Sequence, residues 1–109
     1  IARIHEAHRL ILADISTYEE GMKAAELGVD AISTTMSGYT PYSPQLAGPD
    51  YELMRRLAQD ASIPVFAEGR INTPEELKEA MKTGVYGAIV GSAITRPQLI
   101  ARRFTDAIA

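Results

Sequence analysis

The chain has 109 residues, with 14 acidic against 11 basic side chains and a formal net charge of -3. That balance offers no basic field to nucleic acid, no run of Lys or Arg builds a local one, and no apolar stretch approaches the ~20 residues of a membrane span. There is no cysteine, which excludes disulfides and thiolate metal sites and suits a cytoplasmic protein, and 46% hydrophobic with 23% charged residues is the composition of an ordered globular domain. Ile1-Ala2-Arg3 is neither an initiator methionine nor the start of a signal peptide, so the expectation is a chain cut from something longer.

Residues 1–9 read as the tail of a helix, with His5 and His8 solvated on it. Leu10 to Ile15 follows as a nearly continuous apolar run, the pattern of a parallel strand buried on both faces. Ser16 and Thr17, with Glu19 and Glu20 three residues on, are overlapping capping boxes for a helix that Gly28 ends. Ala31 to Thr35 is a second strand. The loop from Met36 to Pro49 holds Tyr39 and Tyr42 and reads as a lid, an association surface or neither. Asp50 caps a helix running to Asp60, and Ile63 to Ala67 is the third strand. Thr73, Pro74 and Glu76 supply N-cap, N1 and N3 of a helix stopped by Gly84. Gly87 to Val90 is the fourth strand, and Pro97 opens a final amphipathic helix through Leu99, Ile100, Arg103, Phe104, Ala107 and Ile108.

An offset of 56 positions pairs Thr17 with Thr73, Glu20 with Glu76, Gly28 with Gly84 and Val29 with Val85. The repeat supports an architecture of βα units without requiring common ancestry, because helix caps recur in any α/β protein. Four βα units make half of a (β/α)8 barrel, whose full length is ~250 residues. An isolated half leaves two strand edges and an apolar inner face uncovered, so the expectation is a missing N-terminal half or a homo-oligomer.

Two strings carry the chemistry: Ala67-Glu68-Gly69-Arg70-Ile71 and Val90-Gly91-Ser92-Ala93-Ile94-Thr95-Arg96-Pro97. Each places glycine and polar groups after a strand and before a predicted helix, where barrel enzymes hold phosphate on free amides and a helix dipole. Gly69, Gly91 and Ser92 would present amides and a hydroxyl, and Arg96 a bidentate fork. Arg70 reads either as a phosphate contact or as the partner of Glu68 or of a helix carboxylate. Asp14 and Glu68 each close a strand behind an alanine and aim at a common centre; a carboxylate on an apolar strand is costly unless charge is handled there. Lys23, Lys78 and Lys82 all fall within helices, away from the strand ends.

Together with Leu12-Ala13-Asp14-Ile15-Ser16-Thr17 and Ser33-Thr34-Thr35-Met36-Ser37-Gly38-Tyr39-Thr40, these strings resemble the C-terminal half of the N-acetylmannosamine-6-phosphate 2-epimerase family, in one register over nearly the whole chain. The resemblance implies a TIM barrel, with residues 1–109 as its C-terminal half and no internal boundary. It further implies a cytoplasmic isomerase of amino-sugar catabolism that uses no metal or organic cofactor and binds a phosphorylated amino sugar. Glu68 then becomes acid/base or electrostatic partner, Asp14 a polar substrate contact, and Gly69, Arg70, Gly91, Ser92 and Arg96 the phosphate grip. The family's catalytic lysine, with an arginine and a glutamine that touch substrate, lies on first-half strands, so this chain alone is expected to bind weakly and not turn over. Two further readings stand beside it: a self-associating, non-catalytic half-barrel, and another phosphate-binding barrel such as a thiazole or histidine biosynthesis enzyme.

Overall fold

A computed structural model describes all of residues 1–109. The chain runs α1 (Ala2–Glu6), β1 (Leu12–Asp14), α2 (Tyr18–Glu26), β2 (Ala31–Ser33), α3 (Tyr51–Asp60), β3 (Val65–Glu68), α4 (Pro74–Met81), β4 (Gly87–Ile89), α5 (Ser92–Thr95) and α6 (Pro97–Asp106). The four strands form one parallel sheet in the order β1-β2-β3-β4, so each strand lies beside its sequence neighbour. Asp14 pairs with Ser33, Ser33 with Phe66 and Glu68 with Ile89, which lines up the carboxyl ends of the strands.

The helix starts are fixed by side chains, and the repeat is physical. Thr17 accepts from the Glu20 amide at 3.2 Å while the Glu20 carboxylate accepts from the Ser16 amide at 2.7 Å. At the equivalent positions Thr73 accepts from the Glu76 amide at 3.1 Å and Glu76 from the Asn72 amide at 2.6 Å. Both caps satisfy amides that the first helical turn leaves free. Past the helix ends, Gly28 and Gly84 take φ of 93° and 97°, the left-handed stop that only glycine adopts at little cost. Asp50 caps α3 by accepting from the Leu53 amide at 3.1 Å.

Alternation along the strands divides the sheet into two unlike faces. Ala13, Ile32, Val65, Ala67 and Ala88 point toward α2, α3 and α4 and join Ile15, Val29, Leu53, Met54, Leu57, Ile71, Ala80 and Val85 in or against a single core. Leu12, Asp14, Ser33, Phe66, Glu68 and Ile89 occupy the other face, which is left open: Leu12 is 46% exposed and Phe66 and Ile89 only half-buried. Phe66 there meets Tyr86 edge to face, ring centres 5.5 Å apart.

Three expectations are corrected. The doubly buried strand Leu10 to Ile15 shortens to Leu12–Asp14 with Leu10 82% exposed, because β1 is an edge strand and only one sheet face is covered. The turn after β4 forms its own short helix, α5, and α6 begins at Pro97 with no side-chain cap bond and no buried residue. His5 is not simply solvated: its Nε2 lies 2.8 Å from Asp30 Oδ2, a carboxylate that also accepts the Ile11 amide and fastens the entry to β1.

Candidate functional site at the carboxyl ends of the strands

Ser33, Thr34 and Thr35, at the end of β2, all address Glu68 on β3. The buried Thr34 hydroxyl donates to the Glu68 carbonyl at 2.8 Å and accepts from the Glu68 amide at 3.0 Å, which locks the backbone of that residue. Ser33 donates to Glu68 Oε2 at 3.2 Å, and the Thr35 hydroxyl lies 2.8 Å from the same oxygen. A half-buried carboxylate without donors would be strongly disfavoured; here neutral hydroxyls supply the donors. Thr35 also lies 2.9 Å from Asp14 Oδ1 and 2.8 Å from the Ser33 hydroxyl. The two predicted carboxylates, one strand apart on either side of β2, therefore do converge, through Thr35.

Beside this cluster is a cleft of about 460 Å³, lined by Thr35, Tyr39, Glu68, Gly69, Arg70, Ile89, Gly91 and Ser92 among others. That is within the range of small-molecule sites. Five of the seven predicted site residues, Glu68, Gly69, Arg70, Gly91 and Ser92, thus share one cavity wall. Asp14 reaches it only by way of Thr35, and Arg96 stands outside the wall, exposed where α5 meets α6.

Arg70 pairs with no carboxylate, so its reading as an ion-pair partner of Glu68 or of a helix falls away. Its backbone takes φ 59°, an uncommon conformation for a non-glycine residue, and its guanidinium crosses Gly38. There Nη1 donates to the Leu46 carbonyl at 2.8 Å and Nη2 to the Ser37 hydroxyl at 3.4 Å. A Cβ on Gly38 would come 2.0 Å from Nη1, so glycine at 38 is what lets the arginine pass. The head group ties the loop after β2 to the end of β3. A second tether holds the same loop: the Tyr42 hydroxyl donates to Glu20 Oε1 at 2.7 Å. That bond, then the Ser16 amide, hold the Glu20 carboxyl below its ordinary value of 4.5.

Thr35 is the functional candidate that sequence reasoning missed, although the hydroxyl run Ser33-Thr34-Thr35 closing an apolar strand was the available signal. Lys23 and Lys82 pair with Glu26 and Glu79 on the helices. No three His, Asp or Glu side chains are grouped to hold a metal ion, and no helix is long and apolar enough to cross a membrane.

Four βα units in sequential parallel order, with a carboxylate-hydroxyl cluster and a cleft at the carboxyl ends of the strands, define half of a TIM-type (β/α)8 barrel. All 109 residues match the model of the family described as "Putative N-acetylmannosamine-6-phosphate epimerase". Relatives named "Putative N-acetylmannosamine-6-phosphate 2-epimerase" include one from Clostridioides difficile, 56% identical over 108 residues, covering 99% of this chain and 48% of the relative. Another, from Caldanaerobacter subterraneus subsp. tengcongensis, is 61% identical over 99 residues, covering 91% and 42%. Among solved structures, the N-acetylmannosamine-6-phosphate 2-epimerase from Clostridium perfringens superposes with a TM-score of 0.92 at 58% identity, over 97% of this chain and 46% of that one. A thiamine phosphate pyrophosphorylase from Pyrococcus furiosus is more distant, with a TM-score of 0.64 at 32% identity over 79% and 40%. The chain belongs to the N-acetylmannosamine-6-phosphate epimerase family, and it spans about half the length of the relatives it matches.

Proposed function

We propose that residues 1–109 form the C-terminal half of an epimerase that interconverts N-acetylmannosamine 6-phosphate and N-acetylglucosamine 6-phosphate. The observation that carries this reading is Glu68, held by three consecutive hydroxyl residues on the wall of a ligand-sized cleft in a chain of this family. The reaction removes the proton on C2, alpha to the aldehyde of the open-chain sugar, and returns one to the opposite face. Between the two steps the electron pair rests on the aldehyde oxygen as an enolate whose C2 keeps its acetamido nitrogen, and that oxyanion needs a donor beside it. Glu68 serves there as acid/base or as electrostatic partner, and Asp14 as a polar substrate contact. Gly69, Gly91 and Ser92, on the cleft wall, take the phosphate, and Arg96, outside that wall and free of any ion pair, supplies the fork from its rim. Arg70 contributes to that wall chiefly by holding the loop over it. By the family resemblance the lysine that moves the C2 proton belongs to the first half of the barrel, and the reaction takes place in the cytoplasm.

The test is complementation. Residues 1–109, the first half of the Clostridium perfringens relative, and the two mixed are each incubated with N-acetylmannosamine 6-phosphate in D2O, and C2 deuteration and product are followed by proton NMR. Neither half alone is expected to exchange or convert the sugar, and the mixture is expected to do both. A folded, associated mixture that leaves C2 protonated would overturn the proposal. The open sheet face favours one second reading, a closed pair of copies of this chain; sedimentation that finds only monomers up to high concentration removes it.

A further inference from the structure

We propose that Thr35 is a positioning residue that couples Asp14 to Glu68 through the single proton of its hydroxyl. The inference deepens the epimerase reading and rests on it for its catalytic consequence. Four oxygens meet in this cluster through four contacts: Thr35 to Asp14 at 2.9 Å, Thr35 to Glu68 at 2.8 Å, Thr35 to Ser33 at 2.8 Å, and Ser33 to Glu68 at 3.2 Å. Two hydroxyls supply one donor proton each, and an ionised carboxylate supplies none. The contacts outnumber the protons, so they cannot all be hydrogen bonds at once.

Two arrangements use both protons well. In the first, Thr35 donates to Asp14 and Ser33 to Glu68. In the second, Ser33 donates to the Thr35 oxygen and Thr35 to Glu68, and Asp14, whose side chain has no other hydrogen bond in the structure, is left without a protein donor. Moving between them needs only rotation about the Thr35 C–O bond. The Thr35 proton follows whichever carboxylate carries the greater negative charge. While Glu68 is protonated, Thr35 turns to Asp14; when Glu68 gives its proton to the enolate and regains its charge, the Thr35 proton turns back. Asp14 thus acts as a reservoir for a donor that Glu68 needs during only part of the cycle. The placement suits a barrel, because β2 lies between β1 and β3 and Thr35, two residues past its end, reaches carboxylates on both neighbours.

Two measurements test this. In residues 1–109 with 13C-labelled carboxyls, Asp14→Asn is introduced into the chain that keeps Thr35 and into the Thr35→Val chain, at one neutral pH. With Thr35 present the Glu68 carboxyl resonance is expected to move; in the Thr35→Val chain, which lacks the hydroxyl, it moves less than about half as far. An equal movement in both backgrounds overturns the coupling. In the complemented enzyme, Thr35→Val is expected to lower kcat about tenfold or more, the effect of losing one hydrogen bond to a charged group, while KM stays within about threefold. Thr35→Ser, which keeps the hydroxyl, is expected to restore kcat. Unchanged kcat in Thr35→Val, or a loss that serine does not rescue, overturns the positioning role. A wild-type mixture without activity overturns the epimerase reading instead, and the carboxyl resonances then still decide whether Thr35 couples the pair.

Discussion

Single residues tether the loop after β2 at two points, and each tether yields a prediction. The Glu20 carboxyl is held below 4.5 by the Tyr42 hydroxyl and the Ser16 amide. The folded state therefore binds its proton less tightly than the unfolded chain, so this stabilisation is complete above pH 4.5 and is lost as pH falls through the lower folded value. Tyr42→Phe is expected to cost about 0.5 kcal/mol at neutral pH, a small figure because Tyr42 is exposed, and to shrink the loss of stability on acidification; urea unfolding near pH 7 and near pH 3 measures both. At the other tether, Gly38→Ala drives a methyl into the Arg70 guanidinium at a position with φ 84° and is expected to cost about 1–3 kcal/mol. Made in an Arg70→Ala background the same change costs less, since only the backbone part remains, and thermal melts of the four proteins read the difference. The strand-end carboxylates Asp14 and Glu68 were legible from sequence because a charge closing an apolar run has few structural uses. Thr35 and the course of Arg70 were not: a hydroxyl acquires its partners from three strand ends that only the sheet brings together, and a guanidinium reaches far enough that its own position does not say where it binds.

Among the elements, the cap residues were the most readable and the polar turn after β4 the least. Thr17 and Thr73 stand at equivalent positions with nearly equal backbone angles, φ -132° and -133°, and receive the same bond from the N3 amide. Thr17→Ala and Thr73→Ala are each expected to lower stability by about 1 kcal/mol, equal to within about half that amount, which urea midpoints will show. A large excess at one position would mean that the repeat is alike in form but not in energy. The capping signals are local, set by residues within four of one another, so the sequence carries them whole. Helix α5, at four residues, is shorter than any periodicity can register, and α6 stops at Asp106, short of the expected stripe, leaving its Phe104 and the Ile108 beyond it exposed. For the same reason β1 was expected to be longer: apolar residues record which faces are to be covered, not which of them this chain covers itself.

At the scale of the whole molecule, the open face of the sheet decides behaviour in solution. Leu12, Phe66 and Ile89 present an apolar surface between two unpaired strand edges, so the chain is expected to bind the dye ANS while fully folded. Adding the first half of the Clostridium perfringens relative is expected to release the dye, and fluorescence that does not fall on mixing would show that the face is not what that half covers. The sequential strand order has a different consequence, for the birth of the protein. Each strand from β2 to β4 pairs with the one made just before it. Loops closed in this order are short and cost little chain entropy. As the chain leaves the ribosome at roughly 5–20 residues per second, β2 finds β1 already in place, and β3 and β4 follow in turn. Synthesis and folding can thus advance together, one βα unit at a time, each new strand shielding the edge its predecessor had left bare.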